Sequence, residues 1–174
     1  MKLTPVMQKY ILHWGEMGSR WGVNRSVAQI QALLYLLPDP LPAEDISEIL
    51  GIARSNVSNS LKELQNWDLV TVTHVMGDRR DHFQAKKDIW EVVTTIMDGR
   101  KRREIDPTVV FLRECVAELK KDKHTPKEVK ERIENILEFS EEISNWYEKV
   151  KVLPRTTLLK IIRMGSRLSR VVNG

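Results

Sequence analysis

Apolar residues recur every three or four positions along most of the chain, and proline and glycine cut the pattern into segments. Val6, Met7, Tyr10, Ile11, Trp14, Met17 and Gly18 make one face of a first helix. Thr4 suits its N-cap and Pro5 its first turn. Trp21-Gly22 breaks the pattern. Asn24 or Ser26 can cap a second helix, whose face is Val27, Ile30, Leu33, Leu34 and Leu37. Pro38, Pro40 and Pro42 end it and impose a short extended link. Ala43 to Leu50 reads as a third helix, with Ile46, Ile49 and Leu50 inward. Gly51 supplies the positive φ of a tight helix-helix turn, and Ile52 plugs the angle. The fourth helix buries Val57, Leu61 and Leu64.

The period then changes from helical to alternating. Val70 to Val75 has strand composition, Gly77-Asp78 is a turn signal, and His82 to Ala85 is a short returning strand. Ile89, Val92, Val93, Ile96 and Met97 make another helical face, followed by Gly99 and the basic run Arg100 to Arg103. Asp106-Pro107 reads as N-cap and first turn of a helix to about Lys121, apolar at Val109, Val110, Leu112, Val116 and Leu119. Thr125-Pro126 opens the next. In it Val129, Ile133, Ile136, Ser140, Ile143, Tyr147 and Val150 form a heptad seam, weakened locally by Ser140. Pro154 ends that helix. Leu158, Leu159, Ile161, Ile162, Leu168, Val171 and Val172 mark a last one, basic on its other side. No internal repeat is visible.

The expected fold is therefore mainly α with a small β-wing: a winged helix-turn-helix with N- and C-terminal helices suited to dimerisation. The expected divisions are an N-terminal dimerisation helix (1–22), a winged helix-turn-helix (23–105) and a C-terminal helical dimerisation region (106–174).

Composition narrows the function class. With 41% hydrophobic and 30% charged residues, the 174-residue chain is globular rather than disordered. A net charge of +4 leans mildly toward a polyanionic partner. Cys115 is the single cysteine, so no intrachain disulfide forms and a reduced, cytoplasmic setting is expected. The N-terminus lacks the apolar stretch of a signal peptide, and no apolar run is long enough to span a membrane, so no membrane partner is expected. Cys115 itself reads as a core thiol.

The chemistry lies between residues 54 and 82. A helix that enters the DNA major groove needs an apolar face toward its scaffold and short polar and basic side chains on the other. The helix 54–66 has both: Ser55, Asn56, Ser58 and Asn59 can address base edges, and Arg54 and Lys62 suit phosphates. The plain alternative for this face alone is a solvated surface. At the hairpin tip, residues 76–82, Arg79 and Arg80 stand between Asp78 and Asp81, and a basic loop there can reach an adjacent minor groove. An acidic neighbour can hold an arginine by a charge-assisted bond.

Ala43 to Ala85, with its Asp78-Arg79-Arg80 wing, resembles the winged helix-turn-helix of the MarR superfamily. The preceding stretch, MGSRWGVNRSVAQIQALLYLLPDPLPAEDISEILGIARSNVSNSLKEL, is similar to the GbsR/MarR branch. The resemblance covers roughly residues 1 to 110. It implies a dimeric transcriptional regulator, expected to be a repressor, with double-stranded operator DNA as partner. It places Arg54, Ser55, Asn56, Ser58, Asn59 and Lys62 at recognition-helix positions, and Asp78, Arg79 and Arg80 in the wing. The chain departs from the pattern twice. Trp67-Asp68 replaces a glycine after the recognition helix, so Asp68 is expected in the left-handed conformation. Ala53 replaces a serine-like cap, which can shift the helix start by a residue.

The resemblance also favours the Val129, Ile133, Ile136, Ile143, Tyr147 and Val150 seam as a dimer contact over an intrachain core helix. Trp14, Trp21 and Trp67, with Trp90, Trp146 and Tyr147, can be read as an aromatic site for a small-molecule effector, a quaternary ammonium compound bound by cation–π attraction. Core packing is the plain reading of the same residues. His74 and His82 can pair across the hairpin. Arg100 to Arg103 can touch flanking phosphate or simply end a helix. No catalytic or phosphate-loop motif is present in the sequence, so neither an enzyme nor a cofactor is expected. The competing function is a winged helix used as a protein-interaction module.

Overall fold

The computed structural model describes the backbone of residues 3–172 and side chains through Met164. Leu168, Val171 and Val172, expected on the last helical face, lie outside the described side chains. The chain divides into two compact units, 1–96 and 97–174.

The first unit begins with α1, Pro5–Arg20, where Thr4 accepts the Met7 N–H at 3.3 Å as N-cap. Its inward face runs through Met7, Ile11, Gly15 and Gly18. Val6, expected on that face, is 77% exposed because it is rotated about 100° around the helix from Met7, while Leu3 and Met7 on either side of it pack on the core. That neighbour is α2, Arg25–Leu36, capped by Asn24, whose side chain accepts the Ser26 N–H at 2.8 Å. The two helices pack closely because Gly18 has no side chain: a Cβ there would lie 2.5 Å from the Ala28 Cβ.

The proline-rich link forms a strand. β1, Leu41–Pro42, lies at one edge of a three-stranded antiparallel sheet of order β1-β3-β2, with β2 at Val70–Thr73 and β3 at His82–Ala85. Leu41 faces Phe83 and Pro42 faces His82. A proline is tolerated there because an edge strand needs its N–H groups on one side only. β2 stops at Thr73, two residues before the expected Val75, where its partner β3 begins at His82.

α3, Ala43–Leu50, ends at Gly51 with φ 63°, and α4, Arg54–Asn66, follows. Ala53 is the N-cap of α4 without a side-chain bond, yet the helix starts at Arg54 without the shift that the missing serine-like cap allowed. Asp68 has φ 56° and turns the chain from α4 into β2, as its position after the helix requires. The fully enclosed centre is Ile30, Leu33, Ile46 and Val57, contributed by α2, α3 and α4. α5, Ile89–Arg100, comes next. Before it, the Lys87 ammonium donates to the carbonyls of Leu34, Tyr35 and Leu37, satisfying the open end of α2.

In the second unit the backbone stays helical through a π turn, Lys101–Ile105, into α6, Asp106–Leu119. Asp106 is therefore not an N-cap: its φ of −60° and ψ of −44° are helical, and its carboxylate takes the Lys101 ammonium at 2.6 Å. The wider π turn relieves the clash between the Pro107 ring and the preceding turn that would otherwise stop the helix. α7, Lys127–Lys151, follows, then α8, Arg155–Val172. Thr125 does not cap α7. Its N–H and hydroxyl both donate to Asp122, which also takes the His124 N–H at 2.8 Å. No helix among the described residues is long and apolar enough to cross a membrane.

Candidate nucleic-acid interface

The spacing of α4 divides it cleanly. Val57, Ser60, Leu61 and Leu64 are buried against α2 and α3, which leaves Arg54, Ser55, Asn56, Asn59 and Lys62 exposed. Ser58 is half-buried at the margin of that surface. Arg54, in the first turn, forms an ion pair with Glu44 of α3. The Glu44 carboxyl is held below its usual range by a bond from its own backbone N–H, then by Arg54.

The turn between β2 and β3 is braced from inside. Gly77, with φ 85°, lets the chain reverse. Asp78 accepts the Arg80 backbone N–H at 3.0 Å, the Arg80 Nε at 3.0 Å and its terminal nitrogen at 2.6 Å. The other terminal nitrogen of Arg80 donates to Asp45 of α3 at 3.2 Å. These bonds hold the Asp78 carboxyl down at about 2 and push the Arg80 guanidinium up. His82 lies beneath, 6% exposed. Its Nδ1–H donates to the Arg80 carbonyl at 2.9 Å and its Nε2 stands 3.4 Å from Asp78. His82 does not pair with His74, because the register sets it opposite Thr73. His74 instead points to Asp81 at 4.0 Å. Arg79 is exposed.

Asp45 and Glu44 were not singled out in the sequence. Their one signal was position: two adjacent carboxylates in the first turn of a helix, where the dipole favours them. Their arginine partners lie in other elements, with Arg80 35 residues on from Asp45.

The tryptophans separate. Tyr10, Trp14 and Trp21 form an edge-to-face row along α1, with centroid spacings of 5.9 and 6.2 Å. Trp67 is the C-cap of α4 and packs on the core. A groove of about 360 Å³ is lined by Leu3, Gln8, Ile11, Leu12, Gln29, Ile49 and Leu50, with none of the tryptophans.

In the second unit the expected seam of α7 splits. Tyr147 is buried and its hydroxyl donates to Asp98 at 3.0 Å; burial, then that bond, pushes the phenol up to about 12. Ile133 and Val150 are half-buried. Val129, Ile136 and Ile143 are exposed. Ile136 and Ile143 continue into Phe139 and Trp146, which the seam omitted: the four make one exposed stripe, spaced three, four and three.

Three comparisons bear on this arrangement. Residues 21–81, from the end of α1 to the wing, match the model of the MarR family. The chain is 28% identical over 101 residues to the HTH-type transcriptional repressor GbsR of Bacillus subtilis (strain 168), a match that spans 58% of this chain and 56% of GbsR. It is 18% identical over 137 residues to the putative HTH-type transcriptional regulator YvaV of the same organism, covering 78% of this chain and 76% of YvaV. Its fold is like that of a transcriptional regulator of known crystal structure, with a TM-score of 0.68 at 14% identity over 83% of this chain and 95% of that one. The winged helix-turn-helix built from α2 to β3 is thus the part of the chain that is similar to the MarR family, and the chain spans about half the length of GbsR.

Proposed function

We propose that this protein is a cytoplasmic, homodimeric transcriptional repressor that binds operator DNA through α4 and the wing. The observation that carries the reading is the pairing of two exposed surfaces: the polar face of α4 and the basic hairpin tip that ends in Arg79. Ser55, Asn56 and Asn59 have the donors and acceptors that base edges require. Arg54 and Lys62 flank them as phosphate contacts, and Arg79 extends the contact toward the minor groove. The family and the repressor GbsR support the regulator reading. The second copy would join through the exposed stripe of α7, with Ile136 and Ile143 at its centre, and each copy would read one of two half-sites about 34 Å apart.

The test is selection of genomic DNA fragments by the purified protein, followed by a salt titration of the affinity. Three cations per protomer on phosphate give six in a dimer and a slope of log K against log salt of about −5. A flat titration, or no selected fragment, overturns the proposal.

A further inference from the structure

The turn that ends α4 departs from the other turns of the first unit. The Asp68 N–H donates to the Gln65 carbonyl at 2.9 Å, and the Leu69 N–H to the Leu64 carbonyl at 2.9 Å. This pair of bonds closes a helix end whose pivot residue must be left-handed, a place that favours glycine. Glycine takes the left-handed positions elsewhere in the unit, at Gly22, Gly51 and Gly77. Asp68, with φ 56°, is the one non-glycine residue with positive φ among the described residues. A carboxylate kept where the backbone is strained points to a use for the carboxylate.

Its Oδ2 takes the Lys86 ammonium at 2.8 Å. The same ammonium reaches Glu91 at 3.2 Å and donates to the Thr95 hydroxyl at 3.2 Å. Three acceptors thus meet its three N–H donors, and the side chain is only 17% exposed. The Lys86 backbone N–H donates to the Leu69 carbonyl at 3.2 Å, so the residue is held at both ends. Glu91 and Thr95 stand one turn apart on α5, the helix by which the chain leaves the first unit.

We propose that Asp68 and Lys86 form a joint that ties the end of the recognition helix to α5, and that they are positioning residues for DNA binding without touching DNA. A displacement of α5 then reaches α4 through this ammonium as well as through the core. The part concerning DNA rests on the DNA-binding reading above. The joint does not, since it can be read in the free protein.

Three single variants and one double variant test it. Asp68→Asn removes the charge and keeps a residue that tolerates the left-handed turn. Asp68→Gly removes the carboxylate and relieves the backbone. Lys86→Met keeps the stem and removes all three bonds. The first readout is amide hydrogen exchange of residues 64–70 and 89–95 without DNA, corrected for intrinsic rates. Each Asp68 variant should speed it about two- to fivefold, the scale of an ion pair with one exposed partner, and Lys86→Met about three- to tenfold. Asp68→Asn with Lys86→Met should do no more than Lys86→Met alone. Wild-type exchange in Lys86→Met overturns the joint.

The second readout is DNA affinity and its salt slope, where charge alone and the joint predict opposite signs. Removing a negative charge at Asp68 should tighten binding if only charge matters. The joint predicts that both Asp68 variants weaken binding about two- to fivefold, and Lys86→Met at least as much, all at the parent's slope. Unchanged or tighter binding in the Asp68 variants overturns the positioning role. So does a slope reduced by about one per copy in Lys86→Met, which would make Lys86 a phosphate contact. If the parent protein shows no salt-dependent DNA binding, the function proposal falls, while the exchange measurements still decide the joint.

Discussion

The two units handle their apolar residues differently. In the first, Ile30, Leu33, Ile46 and Val57 are sealed inside a core of three helices and a small sheet. The exposed face of α4 in that unit is polar and charges beside it are tied down, as in the Glu44–Arg54 and Asp45–Arg80–Asp78 contacts, although apolar side chains such as Val6 and Met76 are exposed elsewhere in it. In the second, Val110 and Phe111 of α6 and Ile136, Phe139, Ile143 and Trp146 of α7 are all more than 40% exposed. A domain that folds for itself encloses such side chains. A run of them at helical spacing on one face suits a surface made to be covered. The contrast is that the first unit has an enclosed core, while α7 of the second carries an exposed apolar stripe at helical spacing, the surface proposed above for a second chain.

The strongest way to break that contrast is to remove a sealed side chain. Ile46→Ala should cost about 2–5 kcal/mol in denaturant unfolding, since it deletes a fully enclosed side chain and leaves a cavity. A cost below about 0.5 kcal/mol would mean the first core is not sealed. Next, Ile143→Glu should weaken self-association about a hundredfold in analytical ultracentrifugation while leaving the first unit's unfolding unchanged. Unaltered association would end the reading of α7 as an interface. Gly18→Val should cost about 1–3 kcal/mol, because the new Cβ meets Ala28 where α1 and α2 cross. Lys87→Met should cost about 1–2 kcal/mol by leaving the carbonyls at the end of α2 without their ammonium.

The smallest effect is with pH. The Asp78 carboxyl is held at about 2, below its ordinary 3.8, so its contribution to wing order is complete above the ordinary value. It is lost only as pH falls toward about 2. Wing exchange, corrected for intrinsic rates, should therefore be flat through neutral and mildly acid pH. Tyr147 has the opposite sign: its neutral phenol is favoured, and that contribution is lost as pH rises from 10.0 to about 12. Tyrosinate absorbance should show one late-titrating group that Tyr147→Phe removes.

Much of the first unit was legible because local rules and tertiary packing agree there. The three-four spacing located α4 at 54–66, Gly51 marked the turn before it, and Asp68 was expected left-handed where the chain leaves the helix for a strand. Four features were not legible, each for its own reason. β1 is two residues long and flanked by proline, so it carries no alternation to read. Asp106-Pro107 has the chemistry of a helix start, but a π turn carries the helix through it. The contact of Asp45 with Arg80 joins residues brought together only by the fold. On α7 two apolar stripes run side by side, one through Ile133 and Tyr147, the other from Ile136 to Trp146. Spacing alone cannot tell which of them faces the chain's own helices.

The edge position of β1 has a consequence for the protein at high concentration. A bare sheet edge is a template on which another chain can lay a strand and start an aggregate. Here Pro42 has no N–H to offer, and neither does Pro40 just before the strand. An incoming strand finds acceptors but too few donors to register against. The short proline-flanked strand makes the β1 edge a poor template, while the opposite edge of the sheet is β2.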